Sequence, residues 1–306
     1  AVACAERLAA LMPGAGHIVH MPGHIYIRVG RYQDAVEANK HAVHADESYL
    51  EGPLVTKRGI YPQGYYPHNY HFMSFAASMA GNSETAIYAA RQVAEKVGPD
   101  VAREIEWLEA ITPVVHWTLV TFGRWDEVLA EPLPPSDLRF TTGQAYYARG
   151  IAHAAKSRWD EAQAALDSLT AIAENFVEGD NKTALEIARH AVVGEMALRR
   201  DQADAAVQHF RAAVELESGL TYNEPPTWYY PMRQSLGKAL IAAGLAPEAE
   251  RVYQEDLRRF PENGWSLYGL AECLDMQGKS DEAEAVRVRL AEAWKHADVE
   301  LIASRF

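Results

Sequence analysis

Five of the twelve histidines in this 306-residue chain fall on two short segments. The first reads Gly16-His17-Ile18-Val19-His20-Met21-Pro22-Gly23-His24, and the second Tyr65-Tyr66-Pro67-His68-Asn69-Tyr70-His71. Neutral imidazole is the commonest protein ligand for zinc, copper, nickel and iron, so the clustering points first to a metal ion. Residues three or four apart share a helix face, so His17, His20 and His24 form one stripe and His68 and His71 a second. Helices packed about 8 to 10 Å apart let rings from both stripes converge on one ion, held about 2.0 to 2.1 Å from each nitrogen. Two rings from one helix with one or two from the next make an open or a tetrahedral site. Pro22 removes the hydrogen bond to the Ile18 carbonyl. It either kinks one long helix and re-aims the rings, or starts a shorter helix and leaves His17 and His20 in the preceding turn.

Histidine without cysteine favours copper or zinc, with iron or nickel next, over an iron–sulfur centre. The two cysteines, Cys4 and Cys273, stand near opposite ends and suggest neither a thiolate site nor a disulfide framework. A site with two histidines and a carboxylate needs a nearby acid, for which Glu51 and Glu106 are the candidates. Met21 and Met73 hint weakly at copper, although methionine more often fills packing gaps. Two plainer readings stand beside the metal: the histidines bind an organic ligand directly, or they share no role. His116, His153 and His190 fall at packing positions, and His41, His44, His209 and His296 lie on outer or terminal helices.

The elements that must carry these rings follow from composition and pattern. The chain is 48% hydrophobic with a net charge of −13, which argues against nucleic acid or anionic lipid as partner. No apolar run approaches the roughly 18 to 20 residues that span a bilayer. Ala1 to Leu11 is amphipathic and starts without a cap, as the remainder of an interrupted unit would. Localisation is left open between cytoplasm and periplasm.

A pattern of Gly-x-aromatic-x-x-Ala recurs with helical flanks. It runs from Gly30 to Ala35 and from Gly123 to Val128, then returns at Ser157 to Ala162, Gly244 to Ala249 and Gly278 to Ala283. Gly81 to Ala86 and Asp201 to Ala206 are weaker copies. This resembles the tetratricopeptide repeat, a helix–turn–helix unit of about 34 residues. Gly23, Gly150, Gly194 and Gly237 fall at its small inner-helix position. The resemblance implies an all-α, right-handed α-solenoid of about seven repeats over 1–306. In this register 1–13 is a leftover outer helix, 14–46 the first full repeat, 47–64 a long loop and 65–306 the further repeats. The loop is either a lid or an insertion packed by Tyr49, Leu54 and Ile60. A Pro- and aromatic-rich insertion at 220–231 must be largely non-helical and either caps a repeat face or walls a ligand.

The resemblance also places the histidines. Inner-helix positions 2, 5, 9, 12 and 13 line the concave groove of such repeats; His17, His20 and His24 take positions 2, 5 and 9, and His68 and His71 take 2 and 5 of the next unit. These positions are roughly 15% of a repeat, so about two of twelve histidines would reach them by chance. Groove neighbours are Tyr26, Arg28, Tyr65, Tyr66, Asn69, Phe75 and Trp117. Arg28 suits an anion, Phe75 and Trp117 form an apolar floor or simply core, and Tyr65, Tyr66 or Tyr70 could stand beside an ion. The segments His20 to Tyr32, Tyr65 to Phe72, Asn223 to Pro226 and Asn263 to Leu270 are similar to a bacterial subfamily of large tetratricopeptide-repeat proteins. Its members carry a further histidine-rich helix upstream, which implies an N-terminally truncated chain.

Three functions follow as expectations. The first is a solenoid that binds a transition metal in its groove, as a metal-dependent oxidoreductase or hydrolase acting on a small molecule. The second is a protein- or peptide-binding scaffold without metal, although the basic set that clamps a peptide carboxylate is not evident. The third is metal storage or delivery. Oligomeric state is not legible.

Overall fold

The computed structural model describes residues 1–53 and 55–306, so Leu54, one of the expected packing residues of the long loop, lies outside the described residues. Helix α1 (Val2–Leu11) precedes seven helical hairpins, and the described residues contain no strand. The inner arm of the first hairpin is split into α2 (Gly16–His20) and α3 (Pro22–Arg28), with α4 (Tyr32–Leu50) outside. The second pairs α5 (Tyr66–Met79) with α6 (Ser83–Lys96), after which α7 (Pro99–Glu104) and a 3-10 turn (Glu106–Ile111) intervene. The remaining pairs are α8 (Val114–Thr121) with α9 (Trp125–Ala130), α10 (Arg139–Ala155) with α11 (Trp159–Glu174), and α12 (Asp180–Leu198) with α13 (Ala203–Ser218). They end with α14 (Met232–Ala242) beside α15 (Ala246–Arg259) and α16 (Gly264–Met276) beside α17 (Ser280–Ala293). The all-helical solenoid of seven units is the fold. No helix of the described residues is long and apolar enough to cross a membrane.

Each hairpin turns at one residue in the left-handed backbone region. Gly30, Gly81, Gly123, Gly244 and Gly278 have φ between 64° and 78°, and Ser157 and Asp201 take the same conformation where the pattern lacks glycine. These seven are the turn residues of the sequence pattern. The small inner-helix position is also a real constraint: a Cβ on Gly237 would come within 2.3 Å of the Tyr253 ring. Outer helices bury one stripe, as in α15, where Ala246, Ala249, Tyr253 and Asp256 face inward at helical spacing.

The irregular stretch expected over 47–64 is shorter in the structure. Helix α4 runs through Leu50, and a π turn occupies Tyr61–Tyr65, leaving 51–60 between them. Acids on α4 hold this junction: Asp46 accepts from the Tyr61 hydroxyl at 2.6 Å and from Asn69 Nδ2 at 2.7 Å. Glu47 accepts from the Tyr66 and Tyr70 hydroxyls at 3.0 and 3.1 Å.

The concave surface is not an open groove. The segment between α13 and α14 enters it, burying Trp228, Tyr229 and Tyr230 to 6% exposure or less. The Tyr229 ring lies 5.7 Å from Phe75 and 5.4 Å from Trp117, and its hydroxyl donates to Ser74 Oγ at 2.8 Å. Phe75 and Trp117 are therefore core, because an apolar inner face of this size is covered by the chain's own aromatics.

The superhelix also closes on itself. The Trp265 indole donates to the Ser78 carbonyl at 3.0 Å, and Phe260 packs 6.4 Å from Phe75. After α17, Asp298 accepts from the Ser83 and Glu84 backbone N–H groups at 2.7 and 2.9 Å, capping α6. Arg305 lies over the Tyr230 ring, and Phe306 meets Trp265.

Candidate metal centre

Pro22 occupies the first turn of α3, where its missing N–H costs nothing, and Met21, itself in helical conformation, joins the two short helices. Both sequence readings of Pro22 hold in part. A new helix starts there, yet His20 and His24 still face one point, with their Nε2 atoms 2.9 Å apart.

The partners of the opposite nitrogens decide what that contact means. His20 Nδ1 lies 2.8 Å from Asn39 Oδ1, while Asn39 Nδ2 donates to the Ala35 carbonyl at 2.8 Å. The amide is thereby oriented, its oxygen accepts, and His20 carries its proton on Nδ1. His24 Nδ1 lies 2.5 Å from Glu224 Oε2, and the Tyr222 hydroxyl donates to the other carboxylate oxygen. His24 is thus also an Nδ1–H tautomer. With both Nδ1 atoms so engaged, the two Nε2 atoms face each other, an arrangement that needs a proton or a cation between them.

A third nitrogen completes the set. One ring nitrogen from each of His20, His24 and His68 lies within 4.8 Å of the others, and no other group of three histidine, cysteine or carboxylate donors forms among the described residues. Two ligands on a tetrahedral zinc or copper ion stand about 3.3 Å apart. The His20–His24 separation of 2.9 Å is a few tenths of an ångström shorter, and the His68 nitrogen lies within 4.8 Å of both. Phe72 forms the floor, its centroid 4.9, 4.6 and 5.8 Å from those of His20, His24 and His68. Burial pushes His68 down to about 3, with His71 adding to the shift, and lowers His20 well below its ordinary value. Neutral imidazole is the form a metal binds, as burial favours for His20 and His68, and a partner on Nδ1, as His20 and His24 have, orients the ring for it.

His17 and His71, expected as ligands, stand outside this triad. His17 stacks 5.6 Å from His20 and 4.6 Å from Tyr65. His71 is 4% exposed, stacks on Tyr229, and neither ring nitrogen has a protein partner. Both line a cavity of about 460 Å³ with His68, Tyr65, Trp107 and Glu224. Burial also pushes His71 down to about 3.

Of the expected neighbours, only Tyr65 borders the cluster directly. Tyr26 is two residues past His24, so its side chain leaves on the opposite side of α3; it packs under the Arg31 guanidinium at 4.6 Å. Tyr66 and Asn69 turn toward α4, where they bind Glu47 and Asp46. Arg28 shares the His24 face one turn on and sits 5.9 Å from the Tyr222 ring. Glu51 and Glu106 are exposed and belong to neither the triad nor the cavity. The site's carboxylate is Glu224, 200 residues from His24. It is the only acid in the non-helical segment 220–231, a signal the sequence did contain. Met73 is buried in the core.

Residues 240–293, from the end of α14 through α17, match the family model for the tetratricopeptide repeat. No curated protein matches the chain. Among solved structures, "Assembly Chaperone of RpL4 (Acl4) (Residues 1-338)" is 16% identical, aligns over 92% of this chain and 90% of its own, and has a TM-score of 0.33. A chain of Naa15/Naa10 bound to HypK-THB is also 16% identical with a TM-score of 0.33, over 97% of this chain and 40% of that one. The matched segment contains two of the seven hairpin turns, and the same left-handed turn residue recurs in the other five.

Proposed function

We propose that the protein binds one transition-metal ion, zinc or copper, through His20, His24 and His68, and uses it on a small molecule admitted to the adjoining cavity. The observation that carries this reading is the opposed pair of Nε2 atoms, 2.9 Å apart, with both Nδ1 protons already committed. Three imidazoles are the donor set of an open site, which keeps a position for water or substrate. With zinc such a site activates water for hydrolysis, and with copper it supports oxidation. Storage or delivery is the weaker reading, since His20 is fully buried and a rapidly exchanged ion needs an accessible ligand.

Elemental analysis of the purified full chain tests this. One ion of zinc, copper, iron or nickel per chain is expected, and His20→Ala or His68→Ala is expected to lose it. A wild-type protein that stays metal-free after dialysis against zinc and copper defeats the reading.

The repeat family favours a second reading, a peptide-binding scaffold. Because Tyr229 and its neighbours fill the inner surface, a peptide would be confined to a cleft of about 270 Å³ bordered by Arg28, Tyr222, Arg259 and Phe260. Its lining pairs two arginines with Glu217 and Glu224, so it suits a segment of mixed charge, whose binding would be indifferent to chelators.

A further inference from the structure

We infer that the chamber beside the triad receives a small uncharged molecule with an aromatic or alicyclic ring and one hydroxyl or carbonyl oxygen, the oxygen directed to His71. The inference rests on the metal reading in that His68 belongs to both triad and chamber.

Size and lining set the class. A volume of about 460 Å³ is that of a pocket for one compact organic molecule. Apart from the imidazole edges, its walls are largely apolar, with Ile60, Trp107, Ile111 and Pro225. Three of the chain's exposed large hydrophobic side chains, Ile60 at 55%, Trp107 at 54% and Tyr65 at 42%, all border this one chamber. Apolar side chains gathered at one opening mark a binding surface, whereas scattered ones do not.

Charge narrows it further. No lysine or arginine lines the chamber, so nothing there receives a carboxylate or phosphate. The one charged lining residue, Glu224, already accepts from Tyr222 and binds His24 through its other oxygen. A cationic ligand would find no free counter-charge. An uncharged ligand is what remains.

His71 supplies the polar contact. The residue is buried and held by its stack on Tyr229, with centroids 5.9 Å apart and planes 20° from parallel. Both nitrogens lack a protein partner. A neutral imidazole offers one N–H and one lone pair, so a hydroxyl can meet either atom and a carbonyl can meet the N–H.

Calorimetric titration of the full zinc-loaded chain with 4-methylphenol, toluene and benzoate tests the assignment. We expect 4-methylphenol to bind about tenfold tighter than toluene, the worth of one buried hydrogen bond, and at least about tenfold tighter than benzoate. His71→Phe is expected to erase the preference for 4-methylphenol over toluene. Ala110→Trp, which fills the chamber, is expected to abolish both while leaving the zinc content intact; if circular dichroism shows that variant unfolded, Ile111→Trp replaces it. Benzoate binding as tightly as the phenol, or titration unchanged in the filled variant, overturns the inference. Bound zinc without phenol affinity sinks the chamber assignment alone, and phenol binding without any retained metal sinks the metal reading alone.

Discussion

His190 on α12 and His209 on α13 meet through their Nδ1 atoms at 3.2 Å, much as His20 and His24 meet through Nε2 at 2.9 Å. Both pairs are partly shielded and both have depressed basicity in at least one ring. Their surroundings differ. Around His190 and His209, no described side chain fixes the outer nitrogens, so one ring is free to donate to the other. Around His20 and His24, Asn39 and Glu224 each hold an Nδ1 proton, and His68 brings a third donor. Proximity of two imidazoles is therefore no site by itself; the atoms behind the rings make one.

The comparison breaks most sharply at the ligands. His24→Ala is expected to remove stoichiometric metal entirely, whereas His190→Ala leaves it unchanged, as elemental analysis will show. Equal losses would end the distinction. Next come the anchoring groups: Glu224→Gln and Asn39→Leu are expected to weaken zinc affinity roughly 10- to 100-fold in competition with a chromogenic chelator, without removing any ligand.

Acid gives a third, graded effect. Burial holds His68 and His71 at about 3 and His116 at about 4, against 6.5 when unfolded. Between those values the unfolded chain takes up protons that the folded chain refuses. Stability is thus fully present above about pH 6.5 and falls as the pH drops toward about 3. The thermal midpoint of the metal-free protein should fall across that window, and His71→Phe should make the fall shallower; a flat profile would show that the rings are hydrated. The smallest change belongs to the control pair. His209→Leu is expected to shift unfolding by no more than about 1 kcal/mol in a urea titration.

The seven turns were legible in the sequence because each hairpin repeats one backbone requirement, met by glycine at five positions and by Ser157 and Asp201 at two. The inner-helix register that placed His20, His24 and His68 together was legible for the same reason. Asn39 was not, and Glu224 showed only as the lone acid of its segment, with no sign of its partner. Asn39 sits on an outer helix whose periodicity speaks only of burial. Glu224 arrives on a non-helical strap that follows no repeat. Closure was equally silent, because Trp265, Asp298 and Phe306 make contacts that no local period encodes.

An open array of repeats behaves as beads on a line, each leaning only on its neighbours, so an end unit can fray alone. Here Asp298 holds the start of α6, and Trp265 is bonded to the second hairpin. Loosening either terminus strips support from the other, and the molecule should melt as one cooperative body. The histidine cluster, borne by the early hairpins, inherits its rigidity from residues at the far end of the chain.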